Sequence, residues 1–288
     1  MLTRFAPSLT GYLHLGHVLH MLYVWGVAEK REAKILCRIE DHDQGRARPE
    51  YEAAILENME WLGFVPDFGI SHSCAEGPSE FRQSDCSDYY ESILQSLETR
   101  GLVYGCECSR KQILAQQTGE GELCYSGICA DKGLPLEGNI VRFRIREGAT
   151  EFQDLKRGEQ RQIPKKQCGD FSLRDPQGQW TYQFCCVCDD IRQGVNLVIR
   201  GEDILFSTAR QIQLFQTLEA PVPYYLHHPL IYDSEGRKLS KRQRSESISQ
   251  LRDSGTSPED IIGMALHASG MTSRTRSIEL SEALSLFT

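Results

Sequence analysis

The first hundred residues alternate short apolar strands with helical stretches, and that alternation leaves few architectures open. Leu2 to Ala6 reads as a strand that runs into the turn-rich segment Pro7-Ser8-Leu9-Thr10-Gly11. From Gly16 to Lys30 the apolar residues Leu19, Leu22, Tyr23 and Val27 recur at helical spacing. Ala33 to Ile39 is again strand-like, and Pro49 to Leu62 carries Ile55, Met59 and Leu62 on one stripe. A further helix is expected from Ser79 to Arg100. This β-α-β-α order predicts an α/β fold built on a doubly wound parallel sheet, with ligands at the carboxyl ends of its strands.

From about Gly101 to Gln183 the character changes. Cysteines, turns and short alternating strands such as Val141-Arg142-Phe143-Arg144-Ile145 suggest an inserted β-rich sub-domain. Within it, Arg174 to Trp180 has the Pro/Gly chemistry of a hairpin turn. The α/β pattern then resumes with a strand at Asn196 to Arg200 and a helix at Ser207 to Leu218, for which Ser207 is a good N-cap type. The remainder holds a hairpin around Asp233-Ser234-Glu235-Gly236 and then short helices.

Bulk properties exclude several classes. With 288 residues, 40% hydrophobic and 25% charged, the chain is an ordinary globular protein of two or three sub-domains. No apolar run is long enough for a membrane span, and the N-terminus has no secretory signature, so the cytoplasm is the expected location; a monomer is the expected state, on no signal of its own. A net charge of -8 argues mildly against a nucleic-acid partner. Binding depends on local patches, however, and basic stretches occur at Lys156–Arg157, Lys165–Lys166 and Arg237 to Arg244. Eleven cysteines without a signal peptide do not suggest a disulfide framework. Cys185, Cys186 and Cys188 sit in the apolar stretch FCCVC and read as buried core thiols.

Two short constellations carry chemistry. His14-Leu15-Gly16-His17 follows a strand and opens a helix, where unpaired N–H groups and the positive dipole end attract phosphate. Gly16 allows a flat purine or ribose close approach, and the two imidazoles can donate to phosphate oxygens; a pair of helix-capping histidines is the plainer reading. Near the far end, Lys238-Leu239-Ser240-Lys241-Arg242 offers cations to a triphosphate and departing pyrophosphate, or is simply a solvated turn. Each is weak alone. Their order and their placement at opposite ends of the fold make the pair informative.

Together HLGH and KLSKR resemble the two signature motifs of the class I aminoacyl-tRNA synthetases. Arg4-Phe5-Ala6-Pro7-Ser8, Gly11-x-Leu13-His14 and Arg38-Ile39-Glu40-Asp41 narrow the resemblance to the glutamyl and glutaminyl branch. It implies ATP, as its magnesium complex, and L-glutamate as substrates and a tRNA as acceptor. His14, His17, Lys238 and Lys241 would be catalytic, with His14, Gly16, His17 and Lys241 at the nucleotide. Glutamate would be held by the Arg4-Phe5-Ala6-Pro7-Ser8 segment, with Arg4 on its side-chain carboxylate and Ser8 hydrogen-bonding, by Glu40 on its α-ammonium group, and by Tyr182 and Arg200. Arg4 and Glu40 equally suit a structural ion pair, and Tyr182 suits a core position.

Cys106-Glu107-Cys108 followed by Tyr125 and Cys129 suggests a structural zinc site, for which Cys124 is the more ordinary fourth ligand on chemical grounds. The C-x-C…Y-x3-C spacing is similar to that of the short glutamyl-queuosine tRNA(Asp) synthetase family, in which a tyrosine serves. That resemblance divides the chain into a Rossmann-like catalytic domain (1–100 and 184–225), an inserted acceptor and zinc sub-domain (101–183), and a KMSKS-like loop with a helical stem-contact segment (226–288). Only residues 243–288 follow KLSKR, too few for a helical anticodon-binding domain, which again matches the short family and implies queuosine-containing tRNA(Asp) as acceptor. Leu9, Leu239 and Arg242 depart from the family pattern without removing a reactive group. Three rivals stand: a glutamyl-tRNA synthetase charging a tRNA 3′ end, a small-metabolite nucleotidyltransferase and a non-catalytic RNA-binding paralogue.

Overall fold

The computed structural model describes residues 1–71, 77–115, 123–232 and 246–287. Strand β1 (Leu2–Phe5) leads to helix α1 (Leu15–Lys30), β2 (Lys34–Cys37), α2 (Pro49–Trp61) and β3 (Phe68–Gly69). A 3-10 turn (Gln83–Cys86) continues into α3 (Ser87–Thr99). Then come β4 (Val103–Cys106), α4 (Arg110–Ala115), β5 (Ile140–Phe143), β6 (Thr150–Asp154), β7 (Gly158–Gln162), α5 (Pro164–Gln167) and β8 (Ser172–Arg174). The chain continues through α6 (Tyr182–Arg192), β9 (Leu197–Gly201), a second 3-10 turn (Glu202–Ser207), α7 (Thr208–Thr217) and β10 (Tyr224–His228). Helices α8 (Ile248–Asp253), α9 (Pro258–Ala268) and α10 (Leu280–Ser285) follow.

The parallel α/β reading holds. β2 pairs in parallel with β1 and β3, and β10 pairs in parallel with β9 and β6. The two ladders meet where β9 comes beside β1: Asn196 donates its main-chain N–H to Leu2 at 3.1 Å and accepts from Leu2 N through its side chain at 2.8 Å. The order is therefore β3-β2-β1-β9-β10-β6, with β7 antiparallel at the edge. Strand order reverses between β1 and β9, the place where such sheets open a crevice. Helix α1 is buried from Val18 to Ala28, His20 excepted, because β1 and β9 cover one side and α9 and α10 the other. Gly26 is required there: a Cβ would stand 2.5 Å from the Phe287 ring.

Several local expectations change. The helix expected from Ser79 begins only at the Gln83 turn, because Arg82 is held in extended conformation by a bridge to Ile39. FCCVC lies on α6, where all its cysteines are buried, as expected of core thiols. The turn at Arg174–Trp180 is formed, with the Asp175 carboxylate accepting from Gln177 N and Gln179 N. Ser207 precedes α7 but does not cap it: the 3-10 turn gives it helical φ and ψ, and its hydroxyl accepts from Gln183 Nε2 at 3.0 Å instead. Within the expected insertion, β4, β5 and β8 form a separate antiparallel sheet, whereas the β6–β7 hairpin extends the main one. The expected hairpin at Asp233–Gly236 lies outside the described residues.

Candidate active site

A cavity of about 520 Å³ opens at the switch point between the carboxyl ends of β1 and β9. Pleating explains which residues of the first strand reach it. Arg4, Ala6 and Ser8 line it, while Phe5 and Pro7, expected at the substrate, do not. Phe5 turns into the core against Trp25, at 5.8 Å between ring centroids, and Pro7 offers its carbonyl to Glu40 N at 3.0 Å. That last bond holds Glu40 at the cavity wall, opposite Tyr182 at the start of α6 and Arg200 on β9.

The HLGH segment forms the remaining wall and does two jobs at once. His14 is the N-cap of α1, and its Nδ1 accepts from Gly16 N at 3.1 Å. His17 reciprocates, with Nδ1 accepting from His14 N at 3.1 Å. An imidazole whose Nδ1 accepts carries its proton on Nε2, so each ring becomes an Nε2–H donor. Gly16 makes room for this arrangement, since a Cβ there would meet the His14 ring at 2.9 Å. The plainer capping reading and the phosphate-donor reading are thus compatible.

The charges around the cavity are held by a buried network. Arg4 Nε donates to Asp190 at 3.1 Å and Nη1 to the Ile199 carbonyl at 3.3 Å. Arg38, fully buried, donates to the same Asp190 oxygen at 2.8 Å, to Gln193 Oε1 at 2.8 Å and to Glu40 at 3.1 Å. Arg38 therefore ties Glu40 to Asp190 and, through it, to Arg4. Arg4 is in a structural ion pair and also faces the cavity. Burial opposes its charge, but Asp190 outweighs this with help from Tyr182 and Glu40, and the guanidinium is held above its ordinary value. Burial pushes the Tyr182 phenol up, keeping it a neutral donor. The cavity thus offers two buried guanidinium groups, from Arg4 and Arg200, and one buried carboxylate, from Glu40, with the exposed Asp203 at its rim.

His20 and His228 also line the cavity, their Nδ1 and Nε2 atoms 3.0 Å apart. His228 Nδ1 donates to the Pro229 carbonyl at 2.9 Å, so its Nε2 accepts and His20 Nδ1 is the donor. Burial holds His228 down to about 4 and His20 well below its ordinary value, leaving both rings neutral. Neither was signalled in the sequence, because a lone histidine (His20) or a histidine pair (His227-His228) in an apolar run has no distinctive spacing. Asp190, Arg38's partner, was hidden for a similar reason: 152 residues separate the pair. Lys238 and Lys241 lie outside the described residues.

A second cluster sits in the insertion. Cys106 at the end of β4, Cys108 and Cys129 bring their sulfurs within 4.8 Å of one another, with 3.5 Å between Cys108 and Cys129. The Tyr125 hydroxyl joins them, accepting from Cys129 N at 2.9 Å. Cys124 points elsewhere, with its thiol 3.7 Å from the Lys165 carbonyl. Gly169 lets the Tyr125 strand approach, since a Cβ there would lie 1.9 Å from the Tyr125 carbonyl. Zinc bound tetrahedrally at about 2.3 Å from each sulfur separates the sulfurs by roughly 3.8 Å, so this donor set fits the ion.

Residues 1–285 match the family model for the catalytic domain of class I tRNA synthetases, E and Q. The chain is 38% identical to a glutamyl-Q tRNA(Asp) synthetase of Rhodobacter capsulatus over 91% of its own length and 98% of that protein. It is 38% identical to one from Nitratidesulfovibrio vulgaris, over 93% and 86%. A glutamate–tRNA ligase of Acidithiobacillus ferrooxidans is 39% identical, but the chain spans only 55% of it. Among solved structures, a glutamate tRNA ligase of Elizabethkingia meningosepticum in complex with its amino acid superposes with a TM-score of 0.80 at 25% identity. The match takes in 99% of this chain and 64% of that one. No described helix is long and apolar enough to cross a membrane.

Proposed function

Because the chain belongs to the class I tRNA synthetases of the glutamyl and glutaminyl type, we propose that it activates L-glutamate with ATP and transfers it to queuosine in the anticodon of tRNA(Asp). One observation carries the substrate reading: one part of the cavity sets two buried guanidinium groups and one buried carboxylate together, complementary to the two carboxylates and one ammonium of glutamate. Arg4 and Arg200 take carboxylate oxygens, Glu40 takes the α-ammonium group, and Tyr182 and Ser8 donate hydrogen bonds. The α-carboxylate attacks the α-phosphorus of magnesium-bound ATP. A P–O bond forms there as the bond to the pyrophosphate oxygen breaks. His14 and His17, fixed as Nε2–H donors, stabilise phosphate oxygens, and Lys238 and Lys241 neutralise the departing pyrophosphate. An acceptor hydroxyl then attacks the glutamyl carbonyl and releases AMP. Positioning and electrostatics supply the catalysis, with no covalent protein intermediate.

The acceptor is supported by the two relatives that match this chain along most of their own length, both glutamyl-Q tRNA(Asp) synthetases. Such a reaction belongs where tRNA is found, in the cytoplasm. Radiolabelled glutamate offered with tRNA(Asp) bearing or lacking queuosine, and with tRNA(Glu), tests the acceptor. Label is expected on queuosine-containing tRNA(Asp) only. Label on tRNA(Glu) that disappears after periodate oxidation of its 3′ end would instead identify a 3′-charging enzyme.

Cys106, Cys108, Tyr125 and Cys129 would hold zinc, whose contribution when bound is to cross-link the insertion rather than to react, since four protein ligands leave no open position. Metal analysis is expected to find one zinc per chain. Cys129→Ser and Tyr125→Phe should each lower that content, and Cys124→Ser should leave it unchanged. The reverse pattern would make Cys124 the fourth ligand.

A further inference from the structure

Asp154, His227 and Arg200 form a hydrogen-bonded file from the β6–β7 turn to the wall of the cavity. The Oδ1 of Asp154 accepts from Lys156 N at 3.0 Å and Arg157 N at 2.8 Å, which fixes the carboxylate's orientation. Its Oδ2 accepts from His227 N at 3.1 Å and lies 2.6 Å from His227 Nδ1. A carboxylate at this distance accepts, so Nδ1 carries the proton and Nε2 presents a lone pair. Arg200 Nε donates to that lone pair at 3.0 Å, and Thr208 Oγ1 shares it at 3.1 Å. The remaining nitrogens of Arg200 donate to Gln211 Oε1 at 2.6 Å and Thr208 Oγ1 at 2.8 Å, so the guanidinium is tied at all three. Burial lowers the His227 imidazole, Arg200 adds to this, and only Asp154 opposes it; the ring stays a neutral acceptor.

We propose that Asp154 and His227 are positioning residues for glutamate: they fix the plane of Arg200 without touching the substrate. The inference rests on the glutamate-activating reading. It makes the β6–β7 hairpin, which lies in the sequence span of the insertion, a working part of the amino-acid site.

ATP–pyrophosphate exchange, with glutamate and ATP varied separately, tests it. Asp154→Asn keeps size and shape. With its oxygen held by Lys156 N and Arg157 N, its amide N–H group faces His227 Nδ1 and moves the ring proton to Nε2, against the Arg200 donor. The KM for glutamate should rise on the order of tenfold to a hundredfold, with the KM for ATP within about twofold of wild type. His227→Leu should behave alike, and His227→Gln, which returns an acceptor oxygen near the place of Nε2, should recover most of the loss. Asp154→Asn with a wild-type KM for glutamate overturns the proposal, as does an equal rise in both KM values without rescue by His227→Gln. Wild-type protein that exchanges no glutamate overturns the underlying reading itself, a result distinct from either.

Discussion

Glutamate-dependent ATP–pyrophosphate exchange is expected to fall by about two to three orders of magnitude when Arg4 is replaced by alanine, with the fold retained. The size follows from what Arg4 does: it brings a buried, charged donor to the place proposed for a substrate carboxylate, and removal leaves that carboxylate without its partner. The fold survives because Asp190 keeps Arg38, whose Nη1 donates to it at 2.8 Å. Arg4→Lys should fall between the two, since an ammonium cannot reproduce the planar fork that reaches Asp190, the Ile199 carbonyl and a ligand together. Exchange kinetics and a thermal melt on the same preparations decide the matter. A folded Arg4→Ala protein with near-normal exchange would remove Arg4 from the glutamate site.

The largest effect on stability is expected at Arg38. Replacing it with leucine removes three hydrogen bonds at once and strips cationic partners from Glu40, Asp189 and Asp190, all buried. Asp189 would keep Tyr90, Gln83 and Arg192, and Asp190 would keep Arg4, but Glu40 would lose the ion pair that holds it. Stripping one partner from a buried ionic network costs about 3–5 kcal/mol. For a chain of this size that corresponds to a melting temperature lower by roughly 5–8 °C. Calorimetry on Arg38→Leu checks this directly, and an unchanged melting temperature would show that the network is not stabilising.

The sequence and the fold agree most closely where the signal is local. Strand and helix periodicity places β1, α1, β2 and α2, and the HLGH segment identifies a strand-to-helix turn whose cap geometry then appears atom by atom. Arg4, Ser8, Glu40, Tyr182 and Arg200, named from motif likeness, do reach one cavity; what each does there stays a proposal. What was not legible depends on distant pairing. Nothing near Asp154 indicates that it will meet His227, 73 residues on, or that its hairpin will join β10 rather than the insertion's own sheet. Tyr125 and Cys124 are neighbours in sequence, and which side chain meets the three thiols shows only in the fold, where Tyr125 is bridged to Gly169 and Cys124 lies against the Lys165 carbonyl.

The reciprocal cap at His14 and His17 has a consequence for how copies of such a gene would age. At many working sites, pressure to stay folded and pressure to stay active pull apart. Here each imidazole satisfies a main-chain donor at the N-terminus of α1, His14 N or Gly16 N, a bond whose loss costs about 1 kcal/mol, and the same bond sets the proton position useful to phosphate. Purifying selection for folding alone would thus preserve the motif in a duplicate that no longer catalyses anything. Decay would show earlier at Ser8, which is exposed and ends no helix, so the first trace of a retired copy would be sought there and not in the histidines.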